Sequence, residues 1–206
     1  MKTIRSGLEA GEKCFDNDSP FDLVHEGKLI PPIISIDRTR YLRETPRLHC
    51  VAKRPDDTSM LVRFTPLHKR QVSFSMYGGT GITEVGVFFR NPEEALELYK
   101  RHLAKLGELG LLPWISGAAT GTCSELDGAP GIFTEQPILP AGSKAILHPM
   151  EQNQFVQERL KLYDRWAREE KEPAYLSDLP REGQFSKLPG EEIVLHDIEP
   201  IFTRLQ

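Results

Sequence analysis

The sequence predicts an α+β fold: a mainly antiparallel sheet, drawn as a four-strand meander, packed against a capped helix. A second amphipathic helix and an irregular, proline-rich C-terminal tail complete it. Three observations lead there. Residues 71–77 alternate, with Val72, Phe74 and Met76 against Gln71, Ser73, Ser75 and Tyr77, and a period of two marks a strand with one buried face. Gly78, Gly79 and Gly81 follow and suit a tight hairpin, because glycine accepts positive φ; residues 82–89 read as the returning strand. Asn91-Pro92-Glu93-Glu94 then opens a helix, with a capping side chain, a proline at the first turn, and acids placed to meet the positive end of the helix dipole.

The remaining elements follow in order. Residues 1–29 are acidic and read as an arm with one short helix near 8–15. Pro31-Pro32 removes ladder donors, so 29–36 is an edge segment, with a short strand at 33–36. Residues 47–53 form a strand with Leu48, Cys50 and Ala52 inward and Arg47, His49, Val51 and Lys53 outward. After the turn at Pro55-Asp56-Asp57, Met60, Val62 and Phe64 give the next inward face, opposite Leu61, Arg63 and Thr65. Leu96, Tyr99, Leu103 and Leu106 form the buried stripe of the first helix, which Gly107 or Gly110 ends.

Beyond that helix, 114–117 reads as a short strand. The stretch 117–131 is rich in Gly, Ala, Ser and Thr and is expected to be mostly loop. Short strands follow at 132–134 and 144–147. The second helix runs from Pro149 to about Glu170, with Phe155, Leu162 and Trp166 on its stripe and Val156, Leu160 and Tyr163 widening it. Pro173, Pro180, Pro189 and Pro200 break what remains, leaving short strands at 192–196 and 201–205. The division is 1–148, an α+β core with an N-terminal arm, and 149–206, a helix and extended tail docked on that core as one domain overall.

Composition bounds the function. The 206 residues are 39% hydrophobic and 27% charged, ordinary values for a folded chain. A net charge of -4 argues against a general nucleic-acid coat, yet residues 35–77 alone balance to +5. Cys14, Cys50 and Cys123 are odd in number and widely spaced, which fits a reducing compartment rather than a disulfide framework. No secretory leader or long apolar run is read at the N-terminus or elsewhere, so the expected location is cytoplasmic, with no membrane partner.

Chemistry-bearing motifs are sparse. Cys123 sits in Gly121-Thr122-Cys123-Ser124-Glu125, but the spacing of the six histidines selects no base for it. No Cys-x-x-Cys or His-x-x-x-His pair is present, so no metal and no cofactor is expected. Glu93-Glu94 are explained by the helix start and Asp56-Asp57 by a turn, so no catalytic residue is assigned. The outer face of the meander is the informative feature: Arg47, His49, Lys53 and Arg63 lie beside Tyr77, and basic groups with aromatics form a recognised binding design. The expectation is a non-enzymatic binding or accessory protein that engages a macromolecular partner through a basic sheet face and an Arg-rich segment, with a protein partner slightly favoured and a nucleic acid kept as the other candidate. Its contact residues are Arg38, Arg40, Arg43, Arg47, His49, Arg63, Lys69, Arg70 and Tyr77. The alternative is a small cytosolic enzyme that uses the 117–131 loop, with Cys123 as nucleophile. A rival for the basic face is an internal cover, since 78–206 balance to -7.

Overall fold

A computed structural model describes residues 24–29, 48–53, 58–66, 69–76, 79–86, 91–123, 129–147, 153–176, 179, 183–196 and 198–204. The expected short helix near 8–15, the strand at 33–36 and the arginine-rich stretch 38–47 lie outside the described residues. The elements are β1 (Val24–Leu29), β2 (Leu48–Lys53), β3 (Ser59–Pro66), β4 (Lys69–Met76), β5 (Gly79–Gly86), α1 (Pro92–Glu108), β6 (Leu112–Pro113), β7 (Gly117–Cys123), β8 (Ala129–Pro137), β9 (Lys144–Ile146), α2 (Gln154–Glu169), β10 (Ala174–Leu176), β11 (Phe185–Lys187), β12 (Ile193–Leu195) and β13 (Phe202–Arg204). The class is mixed α and β, and almost every strand pair is antiparallel.

The β2–β3 and β4–β5 pairs are both antiparallel, but β5 begins at Gly79 and ends at Gly86, so Gly79, Thr80 and Gly81, expected in the turn, pair with β4 and the returning strand lies three residues earlier than expected. The β2–β3 register sets Leu48 against Phe64, Cys50 against Val62 and Ala52 against Met60, so the two sets expected to face inward are cross-strand partners. Met60, Val62 and Phe64 are buried. Gln71 pairs with Glu84 in β4–β5. The hairpins do not join into one meander, however. The first sheet runs β1-β2-β3-β8-β7, and the second runs β10-β13-β5-β4. A hairpin fixes its own pairing through its turn, but the outer neighbour is whichever strand completes the burial. For β3 that strand is β8, whose residues 131–136 are all buried.

The stretch 117–131 is not mostly loop. It contains β7 and the start of β8, paired from Gly117 with Glu135 to Cys123 with Ala129. Its small residues answer to close packing. Ala118 lies against the α1 residues Ala95 and Leu96 and against Ile132. A Cβ on Gly131 would stand 2.4 Å from the Thr65 carbonyl oxygen and 2.5 Å from the Phe64 ring. Composition alone does not separate a glycine required by a turn from one required by a neighbour.

α1 follows its sequence signals closely. The Asn91 side chain accepts from the Glu94 N–H at 2.9 Å. The helix closes with Gly110 at φ 82°, its N–H donating to the Gly107 carbonyl and the Leu111 N–H to the Leu106 carbonyl, a Schellman turn. α1 is buried on two sides. Ala95 and Leu96 meet the first sheet, while Leu98, Tyr99 and Leu106 join the main core with α2 and the strands beyond it.

α2 begins at Gln154, capped by Asn153, whose side chain accepts from the Val156 N–H at 3.1 Å. Its buried stripe is Val156, Leu160, Tyr163 and Ala167, rotated from the expected one; Phe155 is exposed and Trp166 half-buried. The C-terminal region is more ordered than a tail. β13 pairs with β5, β11 with β9, and β12 runs parallel to β6 in a third sheet, β6-β12-β11-β9. Strands on both sides of residue 148 therefore share the second and third sheets. No described helix is long and apolar enough to cross a membrane.

Candidate functional site

The site is assembled by one turn of α1 and the C-terminal end of α2. On α1, Leu98, His102 and Leu106 recur four residues apart, so His102 occupies the centre of an apolar stripe and is fully buried. Arg101, one residue earlier, remains about half exposed. On α2, Tyr163 is buried beside Leu160 and Val156. The helix then ends in a second Schellman turn. The Lys171 N–H donates to the Arg168 carbonyl, and the Glu172 N–H to the Ala167 carbonyl. Lys171 holds φ at 54°, a left-handed geometry usually given to glycine. That turn reverses the chain and sets Glu172 against α1.

Four side chains meet there. The Leu176 N–H donates to Tyr163 Oη at 3.2 Å, and Tyr163 Oη stands 2.5 Å from His102 Nδ1. Burial raises the Tyr163 hydroxyl well above the usual phenol range, so Tyr163 keeps its proton, and its hydroxyl shares one hydrogen bond with Nδ1. Nε2 faces Glu172 Oε2 at 3.8 Å, beyond hydrogen-bond reach, and is buried without a hydrogen-bond partner among the described residues. Glu172 is itself buried and bonds Arg101 Nη2 at 2.5 Å. Its charge is thus engaged by Arg101.

Burial, with the Arg101 charge as the second cause and the Ala174 backbone offsetting part, lowers His102 to about 4. The ring is neutral at pH 7. Trp166, Tyr163 and Phe202 surround it with centroids at 5.2, 5.6 and 6.0 Å in edge-on geometry. Lys105 Nζ lies 5.7 Å from the Trp166 centroid and closes the outer side. Such a network is a tie between α1, α2 and β10.

Beside this tie lies an open groove of about 550 Å³ between α2 and β10. Leu160, Tyr163, Leu176 and Leu179 form its apolar floor, all buried. Lys161, Asp164, Arg165 and Arg168 form its rim on exposed positions of α2, and Tyr175 flanks it. Arg168 Nε holds Asp164 at 3.0 Å. Lys161 and Arg165 make no ion pair with another described residue.

The sequence-predicted contact residues fare differently. Arg38, Arg40, Arg43, Arg47 and Tyr77 lie outside the described residues. His49 on β2 is the register partner of Arg63 on β3. Lys69 and Arg70 begin β4, in another sheet. Arg63 is half-buried and donates from Nη1 to Gln136 Oε1 at 3.3 Å, while its neighbours Thr65, Thr134 and Gln136 are buried. The face that carries Arg63 is therefore covered where it meets β8. Cys123 ends β7 opposite Ala129 and is not part of a glycine loop.

Sequence reasoning missed both the tie and the groove. A histidine at the centre of a Leu98–Leu106 spacing was the available signal for the tie. A second polar pair, Ser186 Oγ with His196 Nε2 at 2.9 Å, links β11 to the end of β12; the Ser186 hydroxyl is buried, so it fastens the strands. Among the described residues no cluster of His, Cys, Asp or Glu is arranged to hold a metal ion. No protein-family model, characterised protein or solved structure matches the chain.

Proposed function

We propose that the chain is a non-enzymatic binding or accessory protein that engages a macromolecular partner, a protein rather than a nucleic acid, through positively charged surface. The observation that carries this reading is the groove between α2 and β10, where buried leucines and Tyr163 lie under a rim that carries Lys161 and Arg165, neither paired with another described residue. An apolar floor with charges at its edge is the composition of a contact patch, in which desolvated side chains supply affinity and rim charges supply encounter rate. A nucleic-acid surface asks for more cations and for an open basic face, and the face carrying Arg63 is covered at β8. The burial of His102 and Tyr163 supports the non-enzymatic half of the reading. In this proposal the arginine-rich region, from Arg38 to Arg70 with Tyr77, adds long-range attraction rather than a docking pocket, and His49 beside Arg63 belongs to it.

The test is affinity purification of the full chain from its native host at low and high salt, with and without nuclease, followed by identification of what is retained. The expected result is a protein retained despite nuclease and released by salt. Loss of every retained species on nuclease treatment would refute the protein reading. Absence of any salt-sensitive species would refute the binding reading itself.

A further inference from the structure

We infer that the groove between α2 and β10 takes an acidic segment of a partner protein in which large apolar residues are flanked by Asp or Glu. The inference rests on the binding reading above and narrows it to one place and one chemistry.

Charge complementarity carries it first. The chain as a whole is acidic, at -4, yet this rim is basic. Arg168 is answered by Asp164 at 3.0 Å, but Lys161 and Arg165 are answered by no other described residue. Two long cations one helical turn apart are mutually repulsive, and an incoming pair of carboxylates relieves that. The linear spread of the charges carries it second. Lys161 and Arg165 are four residues apart on α2, which at 1.5 Å per residue is about 6 Å along the helix axis. A single headgroup carboxylate engages one point on such a line. A peptide with several acids engages all of it.

The floor supplies the third argument. Leu160, Leu176 and Leu179 are apolar, and the Tyr163 hydroxyl is turned inward to His102 and the Leu176 N–H. The ring can therefore receive an apolar side chain without stranding its polar atom. A floor of this kind rejects charge and accepts leucine or phenylalanine, so both halves of the ligand are specified: apolar residues down, acids towards α2. A volume of about 550 Å³ is within the range of formed ligand sites, and the open geometry admits a continuous chain.

The experiment uses the full protein and a fluorescein-labelled synthetic peptide of repeated Glu-Leu-Glu units, read by fluorescence anisotropy. Controls are the same peptide with serine for leucine, the same peptide with lysine for glutamate, palmitate, and anionic phospholipid vesicles. The variant is Lys161→Glu with Arg165→Glu, both exposed, so the fold is kept. The wild type is expected to bind the acidic leucine peptide and to lose roughly tenfold or more in affinity on double reversal at low salt, a difference that shrinks at high salt. The lysine-containing peptide is expected to bind the reversed variant, which a folding defect could not produce. Equal binding of the acidic peptide by both proteins would overturn the inference, as would equal binding of the serine peptide. Tighter capture of palmitate or vesicles would assign the groove to a lipid and overturn it as well. If affinity purification yields a salt-sensitive protein partner that the double reversal does not release, the groove assignment fails while the binding reading stands.

Discussion

His102 makes the stability of this protein sensitive to mild acid, and the sign follows from its burial. An unperturbed histidine titrates at 6.5, and in the folded chain burial lowers His102 to about 4. Between these values the unfolded chain binds a proton that the folded chain does not, so acidification favours unfolding. The stabilisation is fully present above pH 6.5, is lost as pH falls towards 4, and changes no further below that. A difference from 6.5 to about 4, at 1.36 kcal/mol per pH unit, amounts to about 3 kcal/mol. That is a large share of a typical domain stability of ~5–15 kcal/mol. The assay is urea denaturation at a series of pH values for the wild type and for His102→Asn, whose side chain keeps a polar atom near Tyr163 Oη but does not titrate. The variant should be less stable at pH 7, and its curve should lack the roughly 3 kcal/mol decline between pH 6.5 and 4. Proton NMR of the wild-type imidazole gives an independent reading, with a midpoint near 4 expected. A His102 midpoint at 6 or above, or identical acid slopes in the two proteins, would refute the reasoning.

Three further outcomes are expected. Gly131→Ala should lower stability by about 1–3 kcal/mol, because its Cβ meets the Thr65 carbonyl at 2.4 Å in a sheet already paired on both sides; an unchanged urea midpoint would show that β3 and β8 can separate freely. Lys171→Gly should raise stability by about 1 kcal/mol, since φ of 54° costs little in glycine; thermal denaturation decides it, and a loss would mean that the lysine side chain contributes more than the backbone strain removes. Trp166→Ala should cost about 2–4 kcal/mol, towards the lower side of a fully buried tryptophan because the ring is half-buried; a midpoint equal to that of the wild type would detach α2 from the His102 cluster.

What could be read in the sequence was what is encoded locally. Asn91, Pro92, Glu94 and Gly110 lie within one helix length of one another and fix both ends of α1 without help from the rest of the chain. The strands Lys144–Ile146, Ile193–Leu195 and Phe202–Arg204 stand where short apolar runs between prolines placed them. The hairpins were also local, but the order of strands outside them was not, and β8 and β13 were assigned to no neighbour in advance. Small residues misled in 117–131, because Ala118 and Gly131 are small for α1 and β3, elements outside that stretch. The candidate site was the least legible part. His102 and Tyr163 are 61 residues apart, and Arg101 and Glu172 are 71 apart, so only the fold brings them together. The predicted basic face relied on parity along single strands, which does not reveal that Thr134 and Gln136 on β8 are buried on the side of Arg63.

The closure of the second sheet by β13 governs how the chain must be made. Thr203 stands opposite Val85, and the Tyr99 hydroxyl on α1 donates to the Ile198 carbonyl at 3.0 Å. Synthesis delivers residues at ~5–20 per second, so β5 leaves the ribosome roughly 10 s before its outer partner. Through that interval one edge of β5 and the inner side of α1 have nothing of their own to rest on, and an unpaired strand edge is a template for a neighbouring chain. Crowding of nascent chains on one message is therefore the hazardous moment in the life of this protein. A stop codon before Ile193 removes β13 from one edge of β5 and β12 from β6 together, so C-terminal truncations should behave as complete losses rather than as trimmed versions of the fold.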